Sequence, residues 1–130
     1  DTVEIGKKFG DVTKQPTKNE FSAGETVSVS FRSANPRNNL KTEETYLTVQ
    51  RLDESTNQWV TIATDGDWST RFYWKRNGKL SHASTATITW EVSEEDQPGT
   101  YRIKHYNTHK KIFSGTKVDF EGTSDTFKVV

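Results

Sequence analysis

The residues best suited to chemistry lie in one short segment, which reads DGDWST at residues 65–70. Asp65 and Asp67 place two carboxylates two residues apart and Thr70 adds a hydroxyl, which are the hard oxygen ligands that Ca²⁺ and Mg²⁺ prefer. The segment is not an EF-hand, because Thr70 stands at the position of the loop glycine and Arg76 at that of the bidentate glutamate. It predicts either a Mg²⁺ or Ca²⁺ site or a plain turn with solvated acids.

The histidines are the other candidates for metal binding or catalysis. His105 and His109 are four residues apart, a spacing that would place both on one face of a helix. They flank the end of a predicted strand instead, where that spacing fixes no common geometry. We therefore expect these two histidines, and His82, to be structural. A hydrolase would require His105 or His109 hydrogen-bonded to a serine in a cleft.

No arrangement typical of an independent enzyme is present in the sequence. There is no G-x-S-x-G elbow and no glycine-rich phosphate loop. The acidic pairs at residues 43–44 and 94–95 are adjacent, and neighbouring strand residues point to opposite faces of a sheet. Neither pair can therefore flank one substrate bond. The sequence predicts no catalytic residue and leaves open only a glycosidase-type site assembled from distant carboxylates.

Strands must position these side chains, because apolar residues recur along most of the chain with a period of two. Around residues 59–63 we expect Val60 and Ile62 on one face, and Trp59, Thr61 and Ala63 on the other. The remaining apolar positions of the pattern are Val27, Val29, Phe31, Leu47, Val49, Phe72, Trp74, Ala86, Ile88, Trp90, Val92, Tyr101, Ile103, Phe127 and Val129.

Short strands separated by turn residues predict an all-β fold of about seven to nine strands. Residues 96–101, which read DQPGTY, resemble a tyrosine corner, in which the Tyr101 hydroxyl ties a late strand to upstream backbone. This favours an immunoglobulin-like antiparallel β-sandwich formed by residues 1–130 as a single domain. The only helical structure that we expect is one turn at residues 94–96.

The four tryptophans divide into two groups. Trp59, Trp74 and Trp90 lie in predicted strands, where packing in the core is the favoured interpretation. Trp68 lies in the acidic turn, where we expect it to be exposed and to mark a surface that a partner covers. A membrane or sugar contact is the alternative for Trp68.

Charge and composition limit the possible partners. Lys and Arg together number 18, as do Asp and Glu, so the formal net charge is zero. A zero balance argues against nucleic-acid binding and gives no support for a polybasic membrane surface. The chain has no cysteine, so disulfides and thiolate chemistry are impossible. It does not begin with methionine, and we expect a fragment of a longer protein.

Several segments in a fixed order also resemble a known family. FRSANPRNNL at residues 31–40 leads into a strand at 46–49, and residues 59–74 contain the acidic turn. TITWEV at residues 87–92, PGTYRI at 98–103 and FEGTS at 120–124 follow. Together these segments, which span most of residues 6–130, resemble the C-terminal domain of the neutral ceramidases.

The resemblance implies an immunoglobulin-like accessory domain of an enzyme that hydrolyses the amide bond of ceramide to sphingosine and a fatty acid. The family's zinc ion and catalytic serine belong to an N-terminal catalytic domain that this chain lacks. We therefore expect no amidase activity here, and the catalytic domain as partner. Bacterial members hold Mg²⁺ or Ca²⁺ near the domain boundary with an element that Asp65, Asp67 and Thr70 match. The resemblance also implies an extracellular, secreted or membrane-associated protein.

A free-standing β-sandwich that binds a carbohydrate or a protein is the alternative function. Such a module would present a row of exposed aromatic side chains on one face of a sheet, which sugar rings could stack against. The accessory-domain interpretation instead predicts an apolar patch near Trp68 that a catalytic domain would cover.

Overall fold

The computed structural model describes residues 10–34, 46–76, 83–110 and 117–130. These ranges contain ten β-strands and no helix, and hence no helix long and apolar enough to span a membrane. The strands are β1 (Val12–Lys14), β2 (Glu20–Phe21), β3 (Thr26–Ala34), β4 (Leu47–Asp53), β5 (Gln58–Thr64), β6 (Thr70–Arg76), β7 (Ala83–Glu91), β8 (Gly99–Lys110), β9 (Lys117–Thr123) and β10 (Phe127–Val129).

The strands form two sheets, which confirms the predicted all-β sandwich. One sheet has the order β1-β3-β7-β6, and the other has the order β2-β10-β8-β4-β5, with β9 also paired to β8. The pairings are antiparallel except that of β10 with β2. With β1, β3, β6 and β7 as strands A, B, D and E, the first sheet has the A-B-E-D order of immunoglobulin domains. The immunoglobulin-like assignment stays a prediction, which this order supports.

The period of two places the core between the sheets. The inward residues of β3 and β7 face those of β8, and the Trp90 ring of the first sheet stacks on the Tyr101 ring of the second, with 5.2 Å between centroids. One continuous apolar core results. Its buried members are Phe21, Val27, Val29, Phe31, Leu47, Val49, Ala63, Ile88, Trp90, Val92, Tyr101, Ile103, Phe127 and Val129.

The predicted tyrosine corner is present. The Tyr101 hydroxyl donates a hydrogen bond to the carbonyl oxygen of Gln97 at 2.6 Å. Burial raises the pKa of this phenol, which therefore stays protonated and able to donate. The bond fixes the entry of β8, the strand that pairs with β4, β9 and β10.

The prediction for the direction of Ala63 was wrong. Ala63 does not share a face with Trp59, because the register with β4 shifts: Thr61 pairs with Gln50, but Ala63 pairs with Val49. The extra residue is a bulge, and it turns Ala63 into the core.

The expected helical turn at residues 94–96 is a single non-helical turn. The Ser93 amide donates to Asp96 Oδ2 at 2.8 Å, and the Asp96 amide donates to the Ser93 carbonyl oxygen at 3.1 Å. The Asp96 side chain therefore closes a single turn, after which the chain enters β8. Hydrogen bonds from Ser and Asp side chains to the backbone compete with helix formation, which explains why no helix forms here.

Candidate functional site

The acidic segment forms the connection between β5 and β6, which are edge strands of opposite sheets. Asp67 closes the turn, since its Oδ2 accepts from the Thr64 amide at 2.7 Å and its own amide donates to the Thr64 carbonyl oxygen at 3.0 Å. The Gly66 amide points at Thr64 Oγ1 at 3.4 Å. The local sequence thus folds into a compact turn at one lateral side of the sandwich, where side-chain to backbone bonds replace sheet pairing.

Asp65 and Thr70 attach this turn to the sheets. Asp65 Oδ2 accepts from the Tyr46 amide at 2.9 Å, which ties the turn to the start of β4. The Thr70 hydroxyl is buried and lies 2.8 Å from the Thr64 carbonyl oxygen and 3.0 Å from that of Asp67. The three predicted ligand residues therefore belong to one turn. Each also has a role in holding its shape.

The turn offers the right type of donor for a hard cation but few of them. The side chains of Asp65 and Asp67 are on the exposed part of the turn, whereas Thr70 is only 5% exposed. In the described ranges, no three His, Cys, Asp or Glu side chains group closely enough to hold a metal ion. Because Ca²⁺ takes six to eight oxygens and Mg²⁺ six, a site here requires further ligands from outside this turn.

Two aromatic side chains of the described residues are strongly exposed, one in the turn and one in β6. Trp68 is 70% exposed, as predicted, and its carbonyl oxygen accepts from Arg71 Nη1 at 2.8 Å. Tyr73, on the outward face of β6, is 55% exposed. These are the large exposed aromatics of the described residues, and one loop residue and one strand residue do not form a row across a sheet face.

The other tryptophans differ in position. Trp90 is in the core, as predicted, with 1% exposure. Trp74 is half-buried against the Tyr46 and Phe72 rings, at centroid distances of 5.3 and 4.5 Å. Trp59 is not a core residue: it lies on the outer face of the second sheet, where the Arg102 guanidinium stacks over the ring at 4.1 Å. An arginine side chain covers the apolar surface of Trp59 on the outside of the sheet. The prediction considered only a core or a loop position for each tryptophan and therefore missed this arrangement.

His105 is hydrogen-bonded to a serine, the feature that a hydrolase would require. Its Nε2 lies 2.9 Å from Ser33 Oγ, and its Nδ1 lies 2.9 Å from the Tyr46 carbonyl oxygen. Both side chains have 0% exposure, however, so the pair lies in the core rather than in a cleft and no substrate reaches the hydroxyl. Burial lowers the pKa of His105 to about 4. The prediction that His105 is structural fits this position, while the side chains of His82 and His109 lie outside the described residues.

The family assignment rests on the whole chain. A family model described as the C-terminal part of neutral/alkaline non-lysosomal ceramidase matches residues 1–129. The chain belongs to this family. As a ceramidase C-terminal domain it is 42% identical over 130 residues to neutral ceramidase of Oryza sativa subsp. japonica, and 37% identical over 131 residues to neutral ceramidase of Pseudomonas aeruginosa.

Solved structures confirm the fold of this ceramidase domain. The crystal structure of neutral ceramidase from Pseudomonas aeruginosa superimposes with a TM-score of 0.88 at 38% identity and covers 97% of this chain. A ceramidase complexed with C2 superimposes with a TM-score of 0.89 and covers 98%. The chain spans only 16% of the rice relative and 20% of the first crystal structure's chain. The domain is therefore a small part of those proteins.

Proposed function

We propose that this domain is a non-catalytic part of a neutral ceramidase, and that it packs on and supports an N-terminal zinc-dependent catalytic domain. The observation that carries this proposal is the family match over residues 1–129 in a chain that spans 16–20% of its relatives. In the parent enzyme, the catalytic domain would hydrolyse ceramide to sphingosine and a fatty acid. The only histidine–serine pair that the structure describes is fully buried in the core, out of reach of a substrate. This supports the proposal that the catalytic residues lie in another domain.

The proposed docking surface is the side of the sandwich that carries Trp68. A side chain of this size at 70% exposure is the largest apolar group that the described residues offer to solvent. Tryptophan is among the residues that contribute most when an interface buries them. The neutral net charge provides no electrostatic attraction to an anionic bilayer, so closeness to a membrane would come from the rest of the parent protein. An extracellular location, secreted or membrane-associated, is proposed on the family resemblance.

This chain alone is expected to release no sphingosine from ceramide, whereas the full-length parent is expected to release it. Trp68→Ala is expected to change the free energy of unfolding of the isolated chain by less than about 0.5 kcal/mol, because the side chain is exposed. In the full-length parent the same substitution should lower the stability of the domain pair by about 2 kcal/mol, because it truncates a buried interface residue. Ceramide hydrolysis assays and thermal denaturation measure the two effects.

Trp68→Phe is the matched control, since it keeps an aromatic ring at the same position. It should retain most of the interface stability in the parent. Sphingosine release by the isolated chain would contradict the non-catalytic role. Equal small effects of Trp68→Ala in the isolated chain and in the parent would contradict the docking surface.

We further propose that Asp65, Asp67 and Thr70 contribute to a Mg²⁺ or Ca²⁺ site at the domain boundary, completed by oxygens of the catalytic domain. Two features support this: the two carboxylates lie on the exposed part of one turn, and hydrogen bonds already fix that turn to β4 and β5. A bound cation would neutralise the two carboxylates and join the domains. The proposal assigns no cation to the isolated domain.

Asp65→Asn in the full-length parent is expected to weaken Ca²⁺ or Mg²⁺ binding at least about tenfold, because it removes one charged ligand. The substitution keeps an oxygen that can accept from the Tyr46 amide. Asp53→Asn is the control, since Asp53 also accepts from a nearby amide, that of Ser55, in a different turn. The affinity for Ca²⁺ or Mg²⁺ is measured by titration calorimetry after a chelator has removed any bound cation. Equal affinities in the two variants would show that the acidic turn is not part of the site.

A further inference from the structure

We propose that His105 is an acid-sensitive latch, which joins the two sheets while its ring is neutral and releases them when its ring is protonated. The inference concerns the fold of this domain and stands independently of the proposed function. It makes the stability of the sandwich fall as the solution becomes acidic.

The hydrogen bonds of His105 define its protonation state. A carbonyl oxygen only accepts, so Nδ1 carries the hydrogen that it donates to the Tyr46 carbonyl oxygen at 2.9 Å. In the neutral ring Nε2 then has a lone pair, and it accepts from the Ser33 hydroxyl at 2.9 Å. The Tyr46 carbonyl oxygen also accepts from the Tyr106 amide at 2.9 Å. Both ring nitrogens are therefore satisfied by neutral partners.

These bonds cross the interior of the sandwich. Ser33 belongs to β3 in the first sheet, His105 belongs to β8 in the second, and Tyr46 immediately precedes β4. The Ser33 carbonyl oxygen in turn accepts from the Ser84 hydroxyl of β7 at 3.2 Å. A single imidazole therefore links strands of both layers through polar contacts inside an otherwise apolar core.

The described residues around the ring provide no counter-ion. The Phe31, Phe72 and Phe120 rings lie at centroid distances of 5.5, 5.4 and 6.0 Å from it. Across the sheet, Leu47 and Gly122 are its pairing partners. These contacts come from β3, β4, β6 and β9, and none of the side chains is charged.

The charged residues that the structure describes near the ring face elsewhere. Lys104 and Glu121 pair with each other at 3.1 Å on the outer face of the second sheet, and Arg102 stacks on Trp59 there. In β3, Arg32 is buried as well, at 7% exposure, but it alternates with the inward Phe31, which places it on the outer side of the first sheet. Among the described residues, a protonated ring at position 105 would thus be a buried cation without an anionic partner, which is strongly disfavoured.

The direction of the pH dependence follows from these surroundings. Burial lowers the pKa of His105 to about 4, against about 6.5 in an unfolded chain. The unfolded state binds the proton first, so stability is complete above pH 6.5 and falls as the pH drops from 6.5 towards 4. Between pH 7 and pH 5 the unfolding equilibrium constant should rise about 20-fold, while most carboxylates remain ionised.

The test is urea unfolding of this chain at pH 7 and pH 5, since the chain contains a continuous core of its own. Wild type should show the rise of about 20-fold in the unfolding constant. His105→Gln should show less than about a twofold rise, because the buried imidazole that causes the dependence is removed. The double variant His82→Gln and His109→Gln is the control and should keep the wild-type dependence. Loss of the dependence in this control, or its persistence in His105→Gln, would overturn the proposal.

A second measurement covers the case in which His105→Gln does not fold. Nuclear magnetic resonance of wild type with ¹³C-labelled histidine rings follows each imidazole during a pH titration. The latch requires the His105 ring to stay neutral in the folded chain down to pH 5. Titration of this ring in the folded chain near pH 6.5 would refute it.

Discussion

Trp90→Ala is expected to reduce the free energy of unfolding by about 3–5 kcal/mol, the usual cost of removing a large aromatic side chain from a core. Trp90 is 1% exposed, and its ring stacks on Tyr101 and contacts Phe127 at centroid distances of 5.2 and 6.2 Å. The truncation would leave a cavity where the two sheets meet. Since a domain of this size has about 5–15 kcal/mol of stability in total, the variant should be close to unfolding.

Trp68→Ala is the matched control for this prediction. It makes the same chemical change at a side chain that is 70% exposed, so it should alter the stability of the isolated chain by less than about 0.5 kcal/mol. Urea denaturation followed by tryptophan fluorescence and circular dichroism gives both values. Similar losses in the two variants would show that Trp90 is not the centre of the core.

Gly122→Ala is expected to destabilise the domain by at least about 3 kcal/mol, because two backbones meet at this residue. A Cβ at position 122 would overlap the carbonyl oxygen of Gly10 and would come within 2.8 Å of a Phe31 ring carbon. Gly10 itself has a φ of 95° and is held by a 2.7 Å hydrogen bond from its amide to the Arg32 carbonyl oxygen. Neither neighbour is a flexible side chain that can move aside.

The position of this contact explains the size of the effect. Gly10 belongs to the segment that precedes β1, and Gly122 belongs to β9, so the close approach brings the two sheets together along one side of the sandwich. Gly122 also pairs with His105, and a displaced β9 would therefore disturb the buried imidazole.

Gly66→Ala provides the control for the glycine prediction. At Gly66 the nearest atom to an added Cβ is Thr64 Oγ1 at 3.8 Å, an ordinary van der Waals distance. The free energy of unfolding of this variant should lie within about 0.5 kcal/mol of the wild-type value in the same urea experiment. If Gly122→Ala changed the free energy of unfolding as little as Gly66→Ala, the close packing of Gly10 against Gly122 would be refuted.

The strands that the sequence predicted best are those with one face in the core. In β7 the residues from Ala86 to Trp90 alternate between buried and half-buried, since every second side chain must leave water. β5 was predicted less well, because its alternation is broken by a bulge opposite β4. A bulge is a property of the pair of strands, and one strand's sequence does not reveal it.

The candidate site was predictable in part for a similar reason. Asp65, Asp67 and Thr70 lie within six residues, so their assembly into one turn follows from local chain geometry. The bond from the Tyr46 amide to Asp65 spans 19 residues, and the bond between Ser33 and His105 spans 72. No local periodicity contains information about such pairs.

The sequence by itself determined the class of fold, the direction in which most side chains point, the exposed position of Trp68 and the resemblance to the ceramidases. Each of these depends on residue types at short, regular spacings, and burying one face of a pleated strand requires nothing more. The tertiary structure alone decided which residues distant in the sequence meet: Ser33 with His105 and Gly10 with Gly122 between the two sheets, and Arg102 with Trp59 on the outer face of the second sheet. Those contacts depend on the register and separation of two sheets, which distant parts of the chain set together.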